Sequence, residues 1–254
     1  MKKLLLLILT LVMMLSLVAC DSSKDEDEDD DKEEAPLSIL QIKENLIYSS
    51  YKEIDEITDA DMLGHMVYSI ERDYDVNLGE VSLKRLIIAK YNPYDDYVAI
   101  FCFFSADSAK SFYDVVKNVD FDGARLKLSG EFVFLGSRDY AINNALGKNV
   151  IPPKQITLEQ MSKKLKNSGI SVGEIVEITE ETPIGGIPPK LKGTAKRYFA
   201  GVDLQAVEFS SIVYAKECYE YLCSYDDIFC VKLEGSIVVF GPEEELVNIA
   251  LGKN

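Results

Sequence analysis

The sequence contains no tryptophan and only one histidine, His65, among its 254 residues. A single histidine excludes a metal site built on a histidine pair, and a Ser-His-Asp or Cys-His catalytic system would have to use His65 itself. The patterns H-E-x-x-H, G-x-x-x-x-G-K-[ST] and C-x-x-C, which carry metal, phosphate and redox chemistry, are also absent. We therefore predict no catalysis, no metal and no cofactor, and we expect His65 to be a partly exposed helix residue without a role.

Cysteine is scarce after the first twenty residues, where only Cys102, Cys218, Cys223 and Cys230 remain. Cys218 falls on the apolar side of a predicted helix and should pack as a small core residue. Cys223 ends that helix and Cys230 lies on the following strand, so this pair could meet in a disulfide if the two Cα atoms come close. The sequence does not decide between this disulfide and two free thiols.

The longest apolar run lies at the N-terminus, from Leu4 to Val18, directly after two lysines. Such a run is typical of a secretory signal and is short for a transmembrane helix. Residues 17–20, Leu-Val-Ala-Cys, resemble the lipobox of bacterial lipoproteins, which has a leucine three positions before a cysteine and a small residue just before it. The resemblance implies that residues 1–19 are a signal peptide and that Cys20 carries a diacylglycerol. It predicts a lipid anchor at the extracytoplasmic face of a cell membrane.

Positive charge is in the minority, with 27 Lys and Arg against 43 Asp and Glu and a net charge of −16. The first twenty residues carry +2 and residues 21–34 carry −8, which leaves −10 for the remainder. We expect residues 20–36 to form an acidic disordered tether, because like charges repel and the segment has little apolar surface to bury. The acidic body shows no basic stripe, so we expect no nucleic-acid partner.

The last five residues, ALGKN, also occur near the middle of the chain. Residues 129–149 and 234–254 align without gaps and share nine identities in 21 positions. Upstream, the helical apolar positions of residues 104–116 coincide with those of residues 210–222. This pattern predicts an internal duplication in which ALGKN ends each copy.

The start of each copy is set by a further match between ITDADM at 57–62 and ITLEQM at 156–161. A proline pair at 152–153 indicates a short, stiff connection between the copies. The predicted boundaries are an extra N-terminal helix at 37–56, a first module at 57–149, a linker at 150–155 and a second module at 156–254.

Each module is predicted to run helix-strand-strand-helix-strand-strand-helix, which indicates an α+β fold with helices on one face of a mostly antiparallel sheet. The hairpin pattern G-x-F/I-V, two apolar residues and Gly, followed by a short helix, resembles α+β domains of unknown function in lipoproteins of low-GC Gram-positive bacteria. This resemblance implies no activity. On one strand of the first module, Val98, Ile100, Cys102 and Phe104 form a second apolar face. We expect the extra helix or the other module to cover it, with a partner protein as the alternative.

Two loops are candidates for binding. Tyr91, Tyr94 and Tyr97 cluster around one predicted turn, and the second module has a long loop at 180–190 that contains Gly185 and Gly186. Aromatic tips and long Gly/Pro loops on a rigid scaffold are common recognition sites.

The sequence as a whole favours a lipid-anchored cell-surface protein that binds an envelope protein or a small ligand. A solute-binding lipoprotein of an importer, with its ligand between the two modules, is the alternative, although such lobes usually contain parallel βαβ sheets. An envelope enzyme ranks third, because no catalytic constellation is present.

Overall fold

The computed structural model describes residues 37–51, 53–91, 96–179, 181–225 and 230–253. The predicted signal peptide, Cys20, the predicted tether and Tyr94 lie outside the described residues. The described chain forms two compact units that divide between Val150 and Ile151. The protein is α+β, with one five-stranded antiparallel sheet in each unit.

The first unit places its strands in the order β1-β2-β3-β5-β4, and every neighbouring pair is antiparallel. Its elements are α1 (Ile39–Tyr48), β1 (Glu53–Ile57), α2 (Ala60–Tyr74), β2 (Leu83–Tyr91), β3 (Asp96–Phe103), α3 (Ala106–Val116), β4 (Arg125–Ser129), β5 (Phe132–Gly136) and α4 (Asp139–Ala145).

Helices cover both faces of this first sheet. Successive residues of a strand point to opposite faces, so Phe101 and Phe103 of β3 pack with α2 and α3, whereas Ile100 and Cys102 pack with α1 and α4. The prediction that helices lie on one face only is therefore wrong for this unit. The physical reason is that β3 is buried at every position after Asp96, and a strand that is apolar on both sides must be covered on both sides.

The helix α1 supplies part of the cover for the second face. Ser38 caps it, because the Ser38 hydroxyl accepts from the Gln41 amide at 3.2 Å and the Gln41 side chain accepts from the Ser38 amide at 2.8 Å. Ile42 and Leu46, four residues apart, are fully buried against the sheet. The extra helix predicted from the sequence is thus part of the cover for Val98, Ile100 and Cys102, whereas Phe104 of the predicted face is 64% exposed.

The predicted extent of that helix, 37–56, is wrong at its C-terminal end. Ser50 adopts a φ of 67°, which turns the chain out of the helix, and residues Glu53–Ile57 then form β1, an edge strand paired with β2. The sequence EIDEI is short and rich in acids, and edge strands are commonly of this kind. Its pairing with β2 is a tertiary contact that a local pattern does not reveal.

The second unit places its strands in the order β6-β7-β8-β10-β9, again with antiparallel neighbours only. Its elements are α5 (Leu158–Asn167), β6 (Val176–Glu177), a 3₁₀ helix (Pro189–Thr194), β7 (Ala195–Gly201), β8 (Leu204–Phe209), α6 (Ile212–Cys223), β9 (Cys230–Glu234), β10 (Ile237–Gly241) and α7 (Glu244–Leu251).

Both faces of the second sheet are covered as well. Phe199 and Val239 pack with α5 and α7 on one face. Phe209 and Val238 pack with α6 and the 3₁₀ helix on the other. The expectation of a single helical face is therefore wrong for this unit too.

The first helix of the second unit occupies the position of α1 rather than that of α2. α5 packs beside α7, the last helix of its unit, as α1 packs beside α4. α5 also begins with a capping box, made by Thr157 and Gln160. By contrast, α2 shares its face with α3. The sequence match between residues 57–62 and 156–161 therefore pairs two helices that lie on different faces of their sheets.

Within the described residues, no helix is long and apolar enough to cross a membrane.

Candidate functional site

The tyrosines predicted to form a binding loop point to opposite faces of the first sheet. Tyr91 pairs with Asp96, whereas Tyr97 pairs with Lys90, one position along the strand. Cross-strand partners share a face, so Tyr91 lies on the side of α1 and Tyr97 on the side of α2. Tyr94 lies outside the described residues. Tyr91 and Tyr97 are therefore not brought together in one site.

Tyr91 belongs to a partly polar cluster on the α1 side. Its ring packs edge-to-face on Tyr51 with 5.6 Å between the ring centroids. Burial raises the pKa of Tyr51 to about 12, against an opposing hydrogen bond from the Asn144 side chain. Asn144 is only 1% exposed. Tyr51 and Asn144 thus form a polar pair inside an otherwise apolar layer.

Tyr97 is a core residue rather than a recognition residue. It is 8% exposed, and its hydroxyl has no hydrogen-bond partner among the described residues. Burial raises its pKa to about 12. Its aromatic ring is part of the apolar layer under α2, where the side chain is not exposed for contact with a ligand.

The predicted loop of the second unit is also part of a core. Ile184 and Ile187 pack into the apolar cluster on the α6 face. Gly186 has a φ of 78°, and a Cβ there would lie 2.9 Å from the Phe240 ring. Gly185 has open space around it, with only the Gln205 side chain 4.0 Å away. The loop covers the face of the second sheet that corresponds to the face covered by α2 in the first unit. Its apolar side chains are therefore used for packing.

The four cysteines of the body are free thiols in the structure. Cys102 and Cys218 are buried, and burial raises the pKa of each thiol to about 12. Cys223 is exposed at the end of α6, and Cys230 begins β9. Whether these last two join in a disulfide stays a prediction.

Each sheet carries one arginine just after a register irregularity in its second strand. Arg85 follows the irregularity in β2 and pairs with Glu56, which also pairs with Lys43. Arg197 follows the one in β7 and pairs with Glu208 and Glu159, each at 2.7 Å. These ion pairs link the first helix of each unit to its sheet.

His65 lies exposed in α2, as the sequence predicts. Residues 169–173, Gly-Ile-Ser-Val-Gly, match the G-x-S-x-G pattern of a nucleophile elbow, which sequence reasoning overlooked. That elbow requires a strand followed by a helix. Here the pattern follows α5 and leads into an extended segment in which Val172 bridges to Gly201. Within the described residues, no three His, Cys, Asp or Glu side chains are grouped to hold a metal ion.

An open groove of about 470 Å³ runs along the outer side of α5. Gln160, Lys163, Lys164 and Asn167 form one wall, and their spacing of i, i+3, i+4 and i+7 places them on a single helical face. The opposite face of the helix is buried. The rest of the lining comes from residues 154–156, from Glu234 and from Leu251 at the end of α7.

The groove is a local basic surface on an acidic protein. Lys154, Lys163 and Lys164 bring three ammonium groups to it, and none of them forms an ion pair with any described carboxylate. The acid in the wall, Glu234, pairs with Lys253 at 3.3 Å. The groove therefore has an excess of positive charge that the described carboxylates do not neutralise.

One of these lysines is held in place. Lys164 is half-buried, and its Nζ donates a hydrogen bond to the carbonyl oxygen of Leu251 at 3.3 Å. Carbonyl groups at a helix C-terminus attract cations, so this contact fixes the ammonium group at the end of α7.

Sequence reasoning missed this groove. The helical spacing of Gln160, Lys163, Lys164 and Asn167 shows in the sequence that these four residues share one face of a helix. The sequence does not show that Glu234 and Leu251 join them, since both come from elements far along the chain.

No protein-family model matches the chain, and neither a curated protein nor a solved structure matches it.

Proposed function

We propose that this protein is a lipid-anchored binding protein of the bacterial envelope, held at the extracytoplasmic face of the membrane through Cys20. The observation that carries the proposal is the sequence Leu-Val-Ala-Cys at 17–20, directly after an apolar run that follows two lysines. The acidic segment at 21–34 fits a spacer between the lipid surface and the folded body, because its charge is repelled by anionic lipid.

The binding role is supported by the groove beside α5. The two sheets are covered on both faces, so their apolar surfaces are used for packing within each unit. The groove is different, because it is open and its three lysines lack carboxylate partners among the described residues. A partner or ligand that reaches the envelope surface would find this charge available.

We further infer that the two units arose by duplication of one module that begins at α1 and at α5. The shared strand order supports this, as do the arginines after each register irregularity. The capping boxes of α1 and α5 support it as well. On this basis the first module begins near residue 38 rather than at 57, and α2 is an insertion.

The anchor is tested by metabolic labelling of the full chain in a bacterial host with a radioactive or alkyne-bearing fatty acid. We expect label in the wild-type protein and none in Cys20→Ala, which should leave the membrane fraction. Cys223→Ala, which removes a cysteine that is exposed in the structure, is the control and should label normally. Equal labelling of wild type and Cys20→Ala would show that Cys20 is not the anchor.

A further inference from the structure

We propose that the groove beside α5, defined by Lys154, Gln160, Lys163, Lys164, Asn167 and Glu234, is a binding site for a small phosphate-bearing anion. This inference rests on the proposed binding function and names the chemical class of the ligand. The charge balance of the groove supports an anionic ligand. Three ammonium groups line the groove, and its one carboxylate is already paired with Lys253.

The groove also presents amide hydrogen-bond donors. Gln160 uses its side-chain oxygen to accept from the Thr157 amide at 3.0 Å, within the capping box of α5. Its NH₂ group is therefore what Gln160 presents to a ligand in the groove. Asn167, one helical turn beyond Lys163, lines the same wall. Ammonium and amide donors together suit an acceptor-rich anion.

The helix that carries Lys163 and Lys164 is held firmly by packing. Lys163 and Lys164 stand on a helix whose other face is packed by Leu158, Met161 and Leu165, each fully buried. Lys164 is also fixed by its hydrogen bond to the Leu251 carbonyl. A site on a packed helix loses less conformational entropy on binding than one on a loop.

The number and kind of positive charges favour phosphate as the ligand group. Lysine acts as a point charge that suits phosphate oxygens, and three such charges match a group with two or more negative charges better than a single carboxylate. A groove of about 470 Å³ fits a small solute. The same chemistry is offered by a free phosphate compound and by a phospholipid headgroup.

The direct test is calorimetric titration of inorganic pyrophosphate into the full chain, purified in mild detergent at low ionic strength. We expect saturable binding with one site. Lys163→Gln and Lys154→Gln should each weaken binding by about fivefold, because each removes one close charge. Lys166→Gln is the matched control. It makes the same change on the same helix, but Lys166 does not line the groove, so its effect should stay below about twofold.

Two results would overturn the proposal: no saturable binding of pyrophosphate, or equal weakening by Lys163→Gln and Lys166→Gln, which would mean diffuse charge attraction. Flotation with phosphatidylglycerol vesicles, using the unlipidated Cys20→Ala variant, separates the sources of phosphate. Vesicle binding that pyrophosphate displaces identifies a lipid headgroup, whereas pyrophosphate binding without vesicle binding identifies a free compound. Because Cys20→Ala should bind pyrophosphate as wild type does, failure of the anchor and failure of the groove give different results.

Discussion

The Asn45 side-chain amide donates a hydrogen bond to the backbone carbonyl of Ala145 at 3.0 Å, across 100 residues of sequence. In the second unit, Lys164 makes the corresponding contact with the Leu251 carbonyl at 3.3 Å. In each unit a side chain of the first helix thus binds the C-terminal end of the last helix. The glycine of each ALGKN copy lies beside this side chain, Gly147 next to Asn45 and Gly252 next to Lys164. Both glycines have a positive φ, 80° and 70° respectively.

The first prediction concerns that glycine. Gly252→Ala should lower the free energy of unfolding by about 1–2 kcal/mol, because alanine is strained at positive φ. The new Cβ would also overlap Lys164 Nζ and displace it from the Leu251 carbonyl. Urea unfolding of the full chain measures the change. Gly193→Ala, where a Cβ meets nothing within 4 Å, is the control. Equal midpoints for both variants would contradict the prediction.

The second prediction concerns the buried pair Tyr51 and Asn144. Asn144→Leu should lower the free energy of unfolding by about 1–3 kcal/mol, because it leaves the Tyr51 hydroxyl buried without its partner. Adding Tyr51→Phe should recover much of that loss, since an apolar pair has no unmet hydrogen bond. The corresponding positions of the second unit are Ile170 and Ile249, both packed against its core. Thermal unfolding of the two variants is the measurement, and a double variant less stable than Asn144→Leu would refute the argument.

The third prediction concerns pH. Burial alone would raise the pKa of Glu56, but the hydrogen bonds and charges of Lys43 and Arg85 lower it below its ordinary value overall. A lowered folded-state pKa stabilises the protein above the unfolded value of about 4.3, and this contribution is lost as pH falls through the folded-state pKa. Glu56→Gln should therefore be less stable than wild type at pH 7, with the difference vanishing in acid.

The control for this pH dependence is Asp114→Asn. Hydrogen bonds from Lys110 and Lys117 lower the pKa of Asp114 to about 2, but this cluster is exposed. Added salt should erase the effect of Asp114→Asn and leave most of the effect of Glu56→Gln, because partly buried charges are screened less. Denaturant unfolding between pH 2 and 8 at two salt concentrations measures both. A pH-independent difference for Glu56→Gln would rule out the ionised carboxylate as its cause.

The fourth prediction concerns the thiols. Iodoacetamide should modify Cys223 first in the folded protein, because it is exposed. Cys102 and Cys218 should stay unmodified until unfolding, since burial excludes the reagent and keeps both thiols protonated. Peptide mass spectrometry reads the order of modification. The same spectra, taken after mild oxidation, test the predicted bond between Cys223 and Cys230, and unmodified Cys223 without that bond would contradict the exposure argument.

Local patterns predicted much of the secondary structure. The alternating and β-branched residues of LKRLIIAKY predict a strand at 83–91, where β2 lies. Ser105 and Ser211 each precede a helical pattern, which predicts that they are helix caps, and their hydroxyls accept from backbone amides in the first turns of α3 and α6. These features depend on neighbours within a few residues, which is why the sequence alone predicted them.

Three features could not be predicted in this way. The edge strand β1 is defined by its pairing with β2, whose paired residues are 29 to 37 positions further along the chain, and its own sequence is mostly acidic. The groove beside α5 needs Glu234 and Leu251 to arrive from other elements. The tyrosines at 91 and 97 were placed together because they are close in sequence, but strand alternation separates them onto two faces.

The sequence by itself determined the α+β class, the apolar character of both faces of β3 and the charge of each segment, because these follow from residue type and spacing. Only the tertiary structure decided which helix covers which face, and that α5 stands where α1 does rather than where α2 does. The physical reason is that an apolar face specifies only that it must be buried. Which element buries it depends on contacts between residues that are far apart in the chain.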